Sequence, residues 1–266
     1  MALIDTHAHI CDERYSDDLE GLLSRAREAG LTRLIIAAAT MEESDQAIRT
    51  ATERTTDELP LWCMAGVHPH DADGFTDGDY IRLKEWLSDR KKNRIVALGE
   101  IGLDYYYDLS QRETQILVFR RQLELAFETD IPIVLHTRDA TKDTLTILEE
   151  FQRNGMLRSV PGVCHCFSGS EETAEKLLHM GFYLGFDGPI TFKNSKRAPF
   201  VISMTPPDRL LTETDSPYLT PVPYRGRTNE PAYVGYVLDK MAEIKGLDRE
   251  TMAAAVMDNA CRLFGI

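Results

Sequence analysis

Six of the seven histidines in this 266-residue chain follow short apolar runs: His7 and His9, His68 and His70, His136, and His165. Two carboxylates belong with them, Glu100 inside such a run and Asp215 at the end of another. Imidazole and carboxylate without thiolate is the donor set of hydrolytic Zn, Mn or Fe sites, and Mg, which normally takes more oxygen, is kept as a further candidate. His7 and His9 are two apart in a strand-like run, so both side chains leave one face and can chelate one ion. Four histidines (His7, His9, His136, His165) with Glu100 and Asp215 exceed what a single tetrahedral ion needs. The pattern predicts two divalent ions bridged by Glu100, about 3.5–4 Å apart as in hydrolytic two-metal sites. His68 and His70 read as substrate-binding or supporting groups, and His179, inside a helical pattern beside Leu178, as structural. Cys164 and Cys166 flank His165, and strand alternation predicts that both face away from it toward the helical layer.

Groups so far apart in sequence need a scaffold that gathers them. Eight apolar, β-branched runs occur: Leu3–Ile10, Arg33–Thr40, Leu61–His68, Ile95–Leu103, Ile131–Thr137, Gly162–Ser168, Phe182–Asp187 and Arg209–Asp215. Most are continuously apolar, as parallel strands covered on both faces must be. Helical spacing separates many of them, as in Leu19/Leu22/Leu23/Ala26, Leu83/Trp86/Leu87, Ile116/Phe119/Leu123, Leu145/Leu148/Phe151 and Ala174/Leu177/Leu178, with two more patterns near 230–245 and 248–263. Gly30 and Gly181 read as helix-ending residues leading into strands. The pattern predicts one α/β domain over residues 1–266, a (β/α)8 TIM barrel with a bi-metal site at its C-terminal face. An open doubly wound sheet should carry a Gly-rich turn after its first strand, where this chain has His-Ala-His.

Composition narrows the class. No apolar run is long enough for a membrane span, and the N-terminus lacks a basic stretch followed by an apolar one, so a cytoplasmic, non-secreted protein is expected. Five cysteines without a CxxC pair fit reduced thiols better than a disulfide scaffold or zinc ribbon. A net charge of −13 argues against a surface that coats polyanions. That charge is uneven, however: residues 188–231 carry six basic and four acidic groups, a net +2, against −15 for the rest. Oligomeric state is open between a monomer and a weak homo-oligomer.

Several segments carry a family resemblance: IDTHAHI (4–10), GVHPH (66–70), GEIGLDYY (99–106), LHTRDA (135–140), CHCFSGS (164–170), GPITFKN (188–194), LLTETDSPYL (210–219) and PYRGRTNEPAYV (223–234). In this order over nearly the whole chain, they resemble the TatD family of metal-dependent deoxyribonucleases. The resemblance implies metal ligands at His7, His9, Glu100, His136, His165 and Asp215, with Glu100 bridging. It also implies hydrolysis of DNA phosphodiesters, from single strands or strand ends. Catalysis would fall to Asp215 and Glu100, and phosphates would be held by Arg138, Lys193, Arg225 and Arg227. Asp187 departs from the pattern, which has a small residue there; an added carboxylate near the mouth repels a phosphate or attracts another cation. Tyr105, Tyr106 and Tyr107 are candidates for stacking a base or sugar. The competing readings are a binuclear hydrolase of a small ester, lactone or amide, and a silent metal-binding scaffold.

Overall fold

The computed structural model describes residues 2–266. Eight parallel strands pair in sequence order: β1 (Leu3–Ala8), β2 (Leu31–Ile36), β3 (Leu61–Ala65), β4 (Ile95–Asp104), β5 (Ile133–Arg138), β6 (Gly162–Cys164), β7 (Tyr183–Phe186) and β8 (Leu210–Thr212). The last meets the first. Ala8 bridges to Ser216, His9 N–H donates to the Ser216 carbonyl at 2.8 Å, and Asp215 N–H donates to the His7 carbonyl at 2.9 Å. A doubly wound sheet would leave two edges and a reversed strand order; this sheet has neither, and it forms a nearly closed (β/α)8 barrel.

Around it run α1 (Leu19–Glu28), α2 (Met41–Glu53), α3 (Asp77–Ser88), α4 (Arg112–Glu128), α5 (Thr141–Arg153), α6 (Glu171–His179), α7 (Ala198–Met204), α8 (Val234–Lys245) and α9 (Arg249–Phe264). Side-chain caps start several of them: Thr40 accepts from Glu43 N–H before α2, and Ser170 from Thr173 N–H before α6. Gly30 and Gly181 adopt left-handed φ values of +94° and +92° just past α1 and α6, as expected of residues that end helices. Apolar side chains of strands and helices form one continuous buried core, with Phe119, Phe182, Tyr183 and Phe186 among its largest members.

Two local features position the site. At Gly102, between Glu100 and Asp104 on β4, φ is +148°, and a Cβ would lie 1.9 Å from the His136 carbonyl oxygen. Only glycine lets the β4 backbone pass this close to β5, where Gly102 is registered against His136. Across the β1/β8 seam, the buried Asp5 carboxylate accepts from His7 N–H (3.1 Å), Thr214 N–H (3.0 Å) and the Thr214 hydroxyl (2.6 Å). That clamp fixes Asp215, the residue after Thr214, beside His7.

Candidate metal centre

Each donor reaches the barrel mouth from a strand's C-terminal end or just past it. His7 lies on β1 and His9 just after it, Glu100 on β4, His136 on β5; His68, His165 and Asp215 follow β3, β6 and β8. The glutamate is central. Its Oε1 faces His165 Nε2 at 2.6 Å, His136 Nδ1 at 2.9 Å and His68 Nε2 at 3.5 Å. Its Oε2 faces His7 Nε2 at 3.5 Å and His9 Nε2 at 3.8 Å. Asp215 Oδ1 closes the second group, 3.5 Å from His9 and 3.7 Å from His7.

These spacings suit a metal. Nitrogen donors at 2.0–2.1 Å from a tetrahedral ion stand about 3.3 Å apart. His7 and His9 present their Nε2 atoms at 3.3 Å from each other, and His136 Nδ1 lies 3.2 Å from His165 Nε2. Imidazole pairs converging at that distance, with a carboxylate oxygen beside each pair, form two donor groups on the two sides of Glu100. His7, His9, Asp215 and Glu100 Oε2 could hold one cation, and His136, His165 and Glu100 Oε1 another. His68 was expected to bind substrate or support the site, and the fold places it almost wholly buried beside the donors, its Nε2 toward Glu100 Oε1 and its Nδ1 accepting from the His70 N–H at 3.1 Å.

Electrostatics follow from this packing. Burial disfavours charge on His7 and, with His165 alongside, takes it down to about 4. Burial opposes protonation of His9 too, but Asp215 and Glu100 outweigh it and lift it to about 9. His136 is likewise lifted to about 9, by Asp104 and Glu100 against burial. The Glu100 and Asp215 carboxyls resist burial's upward push because surrounding histidines hold both below the usual carboxylate range.

Asp104 escaped the sequence reading. Its Oδ2 lies 3.1 Å from His136 Nε2 and 3.0 Å from His70 Nε2, and its Oδ1 accepts from the Tyr106 and Tyr107 N–H groups at 2.9 Å. It orients His136 from behind, as carboxylates do for metal-binding imidazoles, and places His70 in the same supporting group. The available signal was strand period: Asp104 lies four residues after Glu100, on the same face of β4. His7 and His165 have no such partner among the described residues, since both Nδ1 atoms are buried without a hydrogen bond there. Their rings stack instead, with centroids 4.2 Å apart and planes within 8°.

The donors floor a cavity of about 920 Å³. Arg138, Lys196 and Arg197 line it, together with Tyr107, Tyr218 and Asp187. Lys193, Arg225 and Arg227 are exposed and outside that lining, Arg225 over the Phe192 ring at 4.3 Å and Arg227 over Tyr224 at 5.6 Å. Arg138 stacks on Tyr106 at 4.1 Å and Tyr107 at 4.9 Å, whereas the Tyr105 hydroxyl turns to Asp143 at 2.9 Å. One orientation is corrected. Cys166 lines the cavity instead of facing the helices, because β6 ends at Cys164 and alternation no longer governs residue 166, whose φ is +45°.

Comparison with known proteins identifies the family. The family model described as TatD related DNase matches residues 4–265. A protein named as the uncharacterized metal-dependent hydrolase YabD, from Bacillus subtilis strain 168, is 43% identical over 99% of this chain and 99% of its own. The 3'-5' ssDNA/RNA exonuclease TatD of Cronobacter sakazakii is 33% identical over 98% of this chain and 97% of its own. Among solved structures, YJJV, a TatD homologue of Escherichia coli K12, superposes with a TM-score of 0.90 at 31% identity, covering 99% of this chain and 98% of that one. The chain belongs to the TatD family of metal-dependent hydrolases.

Proposed function

We propose that this hydrolase cleaves DNA phosphodiester bonds, removing nucleotides from the end of a single strand. The observation that carries the reading is the split donor cluster around Glu100 at the floor of a cavity lined by Arg138, Lys196 and Arg197. His7, His9 and Asp215 would hold one divalent ion and His136 and His165 a second, with Glu100 serving both, each Zn, Mn, Fe or Mg. Bound there, such ions supply an acidified water and positive charge for phosphoryl oxygens.

The chain's own groups do the rest. Asp215, kept ionised by His9 and His7, accepts the proton of the attacking water and passes it toward the leaving 3′ oxygen. Glu100 holds the two donor groups in register. Arg138 receives a phosphate in the cavity, with Tyr106 and Tyr107 beside it as stacking surfaces for a base. Lys193, Arg225 and Arg227 meet phosphates further out. His68 and His70 support Glu100 and Asp104. A cavity of about 920 Å³ lies in the range of sites that take one small ligand, which favours a strand end over a duplex.

The test is turnover by metal-loaded protein on linear single-stranded DNA, on the same sequence closed into a circle, and on a panel of lactones and carboxylic esters. Shortening of the linear strand with the circle spared is expected. A circle cut as fast as the linear strand overturns end-directed cleavage. Lactone turnover with both DNAs untouched replaces the reading with the small-ester alternative.

A further inference from the structure

Two groups at the mouth are left unused by this chemistry, the Cys166 thiol and the Asp187 carboxylate, and they meet the Asp215 carboxylate with one ligand-capable atom of each within 4.8 Å of the others. Cys166 and Asp187 both line the cavity. The Cys166 backbone is fixed in its left-handed turn by its N–H donating to Glu213 Oε2 at 2.9 Å, so its position is built into the loop after β6. Asp187 is only 3% exposed, and its Oδ2 has no hydrogen-bond partner among the described residues. A buried carboxylate oxygen left unpaired beside a second carboxylate is an expensive arrangement unless a proton or a cation joins it.

We propose that Cys166, Asp187 and Asp215 form a third cation site, for a thiophilic divalent ion such as Zn²⁺, sharing Asp215 with the histidine centre. The proposal rests on the reading of Asp215 as a metal ligand. Its chemistry differs from that of the histidine groups. One sulfur and two carboxylate oxygens favour Zn²⁺ or Cd²⁺ over Mg²⁺ or Mn²⁺, because only softer ions gain from the thiolate. On binding, the Cys166 S–H bond breaks, the sulfur lone pair goes to the ion and the proton is released to solvent. The occupied site would place positive charge beside Asp187, where the sequence otherwise puts a negative group in the path of a phosphate.

The test is titration of metal-stripped full-length protein with Cd²⁺, counting bound ions by native mass spectrometry and following thiolate-to-cadmium charge-transfer absorbance. Three ions per chain and a thiolate band are expected. Cys166→Ser should bind two ions and show no band, and those two ions also report that the variant is folded. Asp187→Asn should weaken the third ion at least tenfold. Two ions without a band in the parent protein, or a band that Cys166→Ser leaves unchanged, overturns the third site and leaves the histidine centre standing. A chain that binds no ion at all overturns both.

Discussion

Replacing Asp104 with Asn changes one atom at the back of His136. The carboxylate is fully buried, and all its contacts are donors or imidazole nitrogens: Tyr106 and Tyr107 N–H on Oδ1, His136 and His70 Nε2 on Oδ2. Burial pushes its carboxyl up, yet His136, the Tyr107 N–H and His70 together hold it well below the usual range. His136 turns Nδ1 to Glu100 at 2.9 Å, so when Nδ1 serves as a donor to metal, Nε2 carries the hydrogen that Asp104 accepts. An Asn amide has no orientation that suits this setting. With its oxygen on the two backbone N–H groups, its NH₂ meets the His136 N–H; flipped, its NH₂ meets the backbone pair. An unmet buried donor costs about 1–3 kcal/mol. Loss of such a supporting carboxylate lowers metal affinity by roughly 10–100-fold, equivalent to about 1.4–2.7 kcal/mol. The two ranges overlap, so one broken contact accounts for the whole effect. Competition with a chromophoric chelator, run beside urea unfolding of the metal-free protein, measures both. One ion should weaken 10–100-fold while the other is largely spared. Unchanged affinity for both ions, in a variant as stable as the parent, would refute the role given to Asp104.

Other consequences can be checked separately. Asp215→Asn should retain its ions but lose turnover by on the order of 10²–10⁴, and near-parental kcat would remove the residue from proton transfer. Arg138→Ala, on an exposed side chain, should raise KM for single-stranded DNA about tenfold or more, as expected for a charge-assisted contact, with kcat and the thermal midpoint hardly moved. Binding should depend weakly on salt: two or three phosphate contacts give a log–log slope of about −1.4 to −2.1, and a slope several times steeper would contradict a short grip. Burial raises the Asp5 carboxyl from 3.8 to about 7, so the stability tied to its protonated form is complete below pH 4 and lost as pH rises through 7. In chelator-treated protein, Asp5→Asn should remove that decline, on the order of 4 kcal/mol at most between pH 4 and 8; an equally steep decline in the variant would rule Asp5 out as its source.

Much of this was legible in sequence because parallel strands buried on both faces read as apolar runs, and each of the eight runs overlaps a strand. Six C-terminal limits ran long, and those of β4 and β5 fell one residue short. The run 209–215 holds a ladder only over Leu210–Thr212, yet Glu213 and Thr214 stay fully buried in the mouth, and burial continues where hydrogen-bonded pairing stops. Helix α2 was missed because its buried face is mainly small or polar, Ser44, Ala47, Thr50 and Ala51 beside Met41 and Ile48, and gives little apolar contrast. The donor set was readable because histidine is scarce and these histidines fall at strand ends. Cys166 was misplaced by extending strand alternation past a strand of three residues. Lys196 and Arg197 in the cavity lining were passed over for Lys193, Arg225 and Arg227, since residue type marks a basic loop but only the path of that loop decides which cation turns inward.

The chemistry of the barrel mouth depends most on what gathers around Glu100. Anomalous diffraction from metal-loaded crystals holding a short single-stranded oligonucleotide tests it directly. Around Glu100, two peaks about 3.5–4 Å apart are predicted, one among His7, His9 and Asp215, the other beside His136 and His165, with Glu100 between them and phosphate oxygens on both, whether or not a third ion sits at Cys166. A lone peak away from Glu100, or a scissile phosphate bound elsewhere in the cavity, would contradict it.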